Sequence, residues 1–181
     1  MKLLSLIISL LISISVVAQT NKAQNNDCIY SKSTKSIKTT YPFNVATKIE
    51  VISYANRPKI SKSTSTDSLI QNGAFIVSNP LDRIVLNKFQ TDSLFAILYN
   101  YNFIEKNHRV VGDDCYEAKH AIIFYQNETA VAFIELCIDC KNKLKTSGID
   151  FGEFCRDKFC ILQSFFKFIG IKHEIYDEFC K

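Results

Sequence analysis

The chain has 181 residues, 47% of them hydrophobic and 22% charged, with a formal net charge of +4. That length and apolar content suffice for one domain with a sizeable core. The mild, scattered basic charge, without an arginine stripe, argues against a nucleic-acid binder.

Met1-Lys2 is a short basic start, and Leu3 to Val17 is apolar apart from serines. Val16-Val17-Ala18 closes the run with a small residue, so residues 1–18 read as a secretory signal peptide cut between Ala18 and Gln19. The run is short for a spanning helix, which needs about 20 residues, and the mature chain offers no other span. An exported protein, periplasmic or released beyond the cell, is expected. All seven cysteines lie after the cut, where disulfides are the usual fate of a cysteine. An odd count leaves one thiol over or joined between chains.

Residues 19–40 are rich in Asn, Ser, Thr and Lys and read as a flexible lead-in carrying Cys28. Residues 41–181 then form a single domain. Thr47 to Ala55 has the β-branched alternation of a strand, Gly73 to Ser78 a second, and Ile84 to Leu86 a brief third. Asn87 with Gln90 three positions on has capping-box spacing. Leu94, Ile97, Leu98 and Tyr101 follow on one face, which predicts a core-facing helix over about 88–101. The polar stretch 102–114 reads as a loop.

The central prediction is a hairpin over 119–138. Lys119 to Tyr125 and Ala130 to Ile138 are apolar on both faces, and Gln126 to Thr129 make the turn. Pairing Tyr125 with Ala130 sets His120 opposite Glu135 and Cys115 opposite Cys140. Cross-strand neighbours lie about 5 Å apart at Cβ, within reach of a disulfide. Residues 141–149 read as a basic loop. Asp150 and Glu153 have a second capping-box spacing, and Cys155, Phe159, Leu162, Phe166 and Ile169 form a stripe ending at Gly170, which predicts a helix over about 152–169. An edge strand is expected around 173–176. The order predicts an α+β fold, two helices packed on a mainly antiparallel sheet.

Three chemistries compete for the polar residues. Cys137-x-x-Cys140 has the spacing of a redox pair, but no helix start follows it to lower a thiol pKa, and no proline occurs after Pro80. Cys137, Cys140, Cys155 and Cys160 superficially match a four-thiolate zinc site, with Cys115 and His120 as further ligands. Cys155 and Cys160, however, sit about 140° apart around one helix. His120 with Glu135 would serve as an acid–base pair. The plainer alternative is structural disulfides among Cys28, Cys115, Cys137, Cys140, Cys155, Cys160 and Cys180, with Cys115 to Cys140 or Cys137 the first choice. No cofactor is implied: there is no Gly-rich phosphate loop, no H-E-x-x-H and no Ser-His-Asp spacing. Asn127-Glu128-Thr129 fits a glycosylation sequon.

The segments Cys115-Tyr116, Lys119 to Tyr125, Ala132 to Cys140, Cys155, Phe165-Phe166 and Gly170-Ile171 together resemble a family of small exported Bacteroidetes-type proteins of unknown function. Its pattern is C-Y-x-x-x-H-A-I, I-E-x-C-x-x-C and F-F-x-x-x-G-I. The likeness covers roughly residues 80–172, leaves Cys160 and Cys180 outside the pattern as local additions and a prospective pair, and implies no activity. The sequence therefore leads to an exported, disulfide-held, non-catalytic domain for an envelope or extracellular partner. The alternatives are an enzyme using His120, Glu135, Cys137 and Cys140, or a structural zinc domain using Cys115, His120, Cys137 and Cys140.

Overall fold

The computed structural model describes residues 28–56, 69–77, 79–103, 116–152 and 154–180. Its elements in chain order are β1 (Cys28–Tyr30), β2 (Lys48–Ser53), β3 (Ile70–Gln71), β4 (Ala74–Phe75), β5 (Asp82–Val85), α1 (Lys88–Asn100), β6 (Tyr101–Phe103), β7 (His120–Gln126), β8 (Thr129–Cys137), β9 (Asn142–Lys145), α2 (Arg156–Ile169) and a 3-10 helix, Asp177–Cys180. Five strands form an antiparallel sheet in the order β5-β2-β7-β8-β9, with β7 at its centre. The fold is α+β, as the order of apolar patterns required.

The two sheet faces bury different things. Ile49, Val51, Ile122, Phe124, Ala132, Ile134 and Leu136 face a core shared with Leu94 and Leu98 of α1 and with Phe159, Leu162 and Phe166 of α2. Ile52, Ala121, Ile123, Tyr125 and Ala130 face the other way, against Ile70 and Phe75 of the small β3–β4 hairpin. Phe75 and Phe133 meet there with ring centroids 5.3 Å apart. That double burial is why β7 and β8 read as continuous apolar runs.

Local chemistry fixes the helix ends. Asn87 Oδ1 accepts the Gln90 N–H at 2.9 Å, and Gln90 Oε1 accepts the Asn87 N–H at 2.9 Å. Asn87→Ala is expected to cost about 1 kcal/mol, read as a lower urea midpoint at unchanged slope; an unshifted midpoint would mean the box adds nothing. Gly170 ends α2 in the left-handed region (φ 105°), while the Ile171 N–H donates to the Phe166 carbonyl at 3.0 Å.

Several expectations are corrected. Asp150 does not cap the helix: α2 begins at Arg156 with Cys155 as its N-cap, and Glu153, the other half of the expected capping box, lies outside the described residues. Phe151 and Phe154 turn into the core instead, their rings 4.8 Å apart, while Asp150 pairs with Lys35 at 2.8 Å. Burying two aromatic rings outweighs one more helical turn. Within the supposed basic loop, residues 142–145 form β9, and its lysines blunt an edge strand. Of the lead-in, residues 28–40 carry β1, paired with β6, followed by turns. The tail 173–176 forms no strand; Asp82 and the 3-10 helix hold it. The signal peptide and Cys115 lie outside the described residues.

The hairpin register also differs. Tyr125 does pair with Ala130, but Phe124 pairs with Ala132, so Val131 is an extra residue in β8. That bulge shifts every later pair by one: His120 faces Leu136, and Glu135 faces Ala121. Because side chains alternate, the slip puts His120 and Glu135 on opposite faces of the sheet.

Candidate functional site

His120 begins β7 on the helix-facing side, its ring 5.3 Å from that of Phe166. It is 1% exposed, and neither ring nitrogen makes a hydrogen bond of ordinary geometry among the described residues, the His173 backbone interacting with the ring only weakly. Burial pushes its pKa down to about 4, opposed in part by the His173 backbone and the Asp82 carboxylate. The imidazole is therefore neutral at pH 7. It borders a small cavity of about 10 Å³, room for one water, lined also by Lys119, Ile138, Asp139, Gln163, Glu174 and Tyr176.

Glu135 lies on the far face, fully buried. Its carboxylate accepts the Tyr54 hydroxyl at 2.7 Å and the Tyr116 hydroxyl at 3.0 Å. Nearby Glu50 takes the Arg83 guanidinium and the Tyr125 hydroxyl (3.1 Å for the latter). Both carboxylates are thus satisfied by side chains of the same sheet face. The proposed His120–Glu135 acid–base pair is corrected: the sheet separates the two groups, so they cannot share a proton.

A polar centre that sequence reasoning missed stands at Asp82. It accepts from Ser53 Oγ at 2.8 Å, from the Lys172 and His173 backbone N–H groups at 3.0 and 2.8 Å, and contacts His173 Nδ1 at 3.1 Å. Burial alone would raise its pKa, but these bonds hold it far below the ordinary carboxylate range. Ser53, His173 and an aspartate stand together here, yet the carboxylate sits between the other two. The base that touches Ser53 Oγ is the Asp82 carboxylate itself, and a carboxylate held that far below its ordinary pKa is too weak a base to activate a nucleophile. Its effect is to tie the C-terminal segment to the sheet edge. The partners lie some 90 positions apart in sequence, beyond any local signal.

The six described cysteines settle into pairs at disulfide distance: Cys28 with Cys155, Cys137 with Cys140, and Cys160 with Cys180, at Cα separations of 5.3, 5.4 and 5.3 Å. The first choice, Cys115 with Cys137 or Cys140, is corrected, since those two pair with each other across the turn after β8. Cys160 with Cys180 agrees with the pair anticipated outside the family pattern. The four-thiolate set does not assemble, because Cys155 and Cys160 have different partners. Cys137, Asp139 and Cys140 do bring ligand atoms within 4.8 Å of one another, but sulfurs at bonding distance are not thiolate ligands.

The larger concavity lies elsewhere, between residues 37–49 and the start of α1. It is an open surface groove of about 550 Å³. Phe43, Ile49 and Leu86 form its floor, each buried in the core. Lys38, Lys48 and Lys88 stand around it with Asp92 as the single acid. Lys48 is held at 3.3 Å by Glu128 and Lys88 at 2.7 Å by Asp92; Lys38 has no ion pair among the described residues. Lys88 and Thr91 at the start of α1 line the groove, and the first turn of that helix carries no acidic side chain.

Comparison with protein families, with curated proteins and with solved structures finds no match for this chain. Among the described residues, no helix is long and apolar enough to cross a membrane. Several cysteine pairs at bonding distance are compatible with an exported protein.

Proposed function

We propose that the chain is an exported, non-catalytic binding domain held by disulfides. Its leader is cut near Ala18-Gln19, and it acts in the periplasm or beyond the cell on an envelope or extracellular partner, as a member of the exported family its C-Y-x-x-x-H-A-I and I-E-x-C-x-x-C segments resemble. The observation that carries this reading is the groove over Phe43, Ile49 and Leu86 with its lysine rim. It offers an apolar floor beside positive charge, while His120 and Glu135 lie on opposite sheet faces. Such a surface suits a ligand with an anionic group on an apolar body.

Dodecanoate is a suitable probe, with dodecyltrimethylammonium as the control of opposite charge. Dodecanoate is expected to raise the melting temperature saturably, and the ammonium compound is not. Lys38→Glu with Lys88→Glu should weaken dodecanoate at least about tenfold by calorimetry, since two attractive contacts become repulsive. Equal binding of both amphiphiles, or an unaffected double variant, would remove the groove as the binding surface.

A further inference from the structure

The stretch from Ile171 to Cys180 runs back across α2 and closes the small cavity over His120. It is tied at both ends. At its start, Asp82 accepts the Lys172 and His173 N–H groups. At its far end, Cys180 meets Cys160 of α2. Between them, Gln163 Nε2 donates to the Tyr176 carbonyl at 3.1 Å, and Lys167 pairs with Asp177. Glu174 and Tyr176 form the cavity's outer wall. Glu174 stands in the left-handed region at φ 59°, where the chain turns from the Asp82 anchor toward the disulfide.

The sulfur pairs differ in their surroundings. Cys137 and Cys140 are 1% and 5% exposed, and the partly buried Cys28 is joined to a fully buried Cys155, whereas Cys160 and Cys180 are both partly buried. The Lys141 ammonium lies 3.4 Å from Cys160 Sγ and 3.7 Å from Cys180 Sγ. A cation against a sulfur favours its thiolate and so makes it a better leaving group in thiol–disulfide exchange.

We propose that Cys160–Cys180 is a thiol-exchange site for an external dithiol, and that its reduction releases residues 174–180 from α2 and opens the cavity over His120. The attacking thiolate bonds to Cys180 Sγ, and the Cys160–Cys180 bond breaks, leaving Cys160 as a thiolate beside Lys141. The second thiol of the reductant then attacks the mixed disulfide and leaves as the oxidised, cyclic disulfide. Two electrons pass to the protein, and the two thiol protons of the reductant go to Cys180 and, as pH dictates, to Cys160 or solvent. Residues 171–173 stay on the sheet through Asp82, so the opening is confined to the distal part. Asp139, Glu174 and Lys119 border His120 from the neighbouring elements, and the imidazole then meets water beside them.

The test titrates the folded full chain with dithiothreitol at neutral pH, followed by alkylation and peptide mass mapping. Cys160 and Cys180 should be labelled together at reductant levels that leave the other two pairs intact, and Lys141→Met should slow that step roughly threefold to tenfold, the range for a partly screened charge beside a leaving thiolate. Earlier labelling of Cys137 and Cys140, or an unchanged rate in Lys141→Met, overturns the assignment. Cys180→Ser mimics the released state: the His120 proton resonances should titrate closer to an ordinary histidine than in the oxidised protein. If Cys180→Ser leaves the His120 titration unchanged, the strap does not gate the cavity. The same readouts taken on wild type with and without dithiothreitol serve if the variant does not fold.

Discussion

Removing the Cys28–Cys155 link by Cys28→Ala with Cys155→Ala is expected to lower the unfolding free energy by roughly 4–5 kcal/mol, the entropy returned to an unfolded chain by opening a loop of that size. The two residues are 127 positions apart, the longest closure of the three, against 20 for Cys160–Cys180 and 3 for Cys137–Cys140. The native state also needs the link to hold a short arm. β1 has three residues and, among the described residues, pairs only with β6. Beyond it, Ser31 N–H reaches the Asn100 carbonyl, Ser33 N–H reaches Asn100 Oδ1, and Lys35 reaches Asp150. These are mostly exposed polar contacts of small net worth. The same substitution at Cys137 and Cys140 should cost under about 2 kcal/mol by the same reasoning. Urea unfolding of the oxidised proteins measures both. Equal losses, or a loss below about 1 kcal/mol for the long link, would show that the arm contributes nothing to global stability.

What could be read from sequence were the features set by near neighbours. The α1 capping box, the α2 stripe, the Gly170 terminator and the two long apolar strands all depend on spacings of a few residues, and all are present. What could not be read depends on distant partners. The β8 bulge at Val131 leaves no mark in composition, yet it alone moves Glu135 to the far face. Asp82, just ahead of the brief strand read at Ile84 to Leu86, carries no signal of its own until Lys172 and His173 arrive beside it. Lys158, in the middle of an apolar helix, would be expected at the surface. It is fully buried instead, donating to the Leu98 carbonyl at 3.0 Å and lying 4.6 Å from the centre of the Phe154 ring. Burial, and secondarily Lys143, pushes its pKa down to about 8. The groove over Phe43 was equally invisible, because its floor and rim come from residues 37–49 and 86–92, which the chain separates.

Acid should unfold this protein earlier than its carboxylates alone require, and His120→Phe should abolish the difference. The His120 pKa is about 4 in the folded state against 6.5 for a free imidazole, chiefly through burial. Between those values the unfolded chain binds a proton that the folded chain refuses. The stabilisation is therefore complete above pH 6.5 and disappears as pH falls toward 4, amounting to roughly 3 kcal/mol at 1.36 kcal/mol per pH unit. Asp82 acts in a separate window. Its folded pKa is depressed, so its contribution is lost only as pH drops below the ordinary carboxylate value of 3.8. Phenylalanine keeps the aromatic contact with Phe166 and removes two buried nitrogens that make no hydrogen bond of ordinary geometry among the described residues. Stability at pH 7 should therefore hold or rise in the variant, while the loss between pH 6.5 and 4 flattens. Urea midpoints taken across that range decide it. A variant that keeps the wild-type slope would place the acid sensitivity elsewhere, and a variant much weaker at pH 7 would mean that the His120 nitrogens are satisfied through the cavity that Gln163 and Tyr176 enclose.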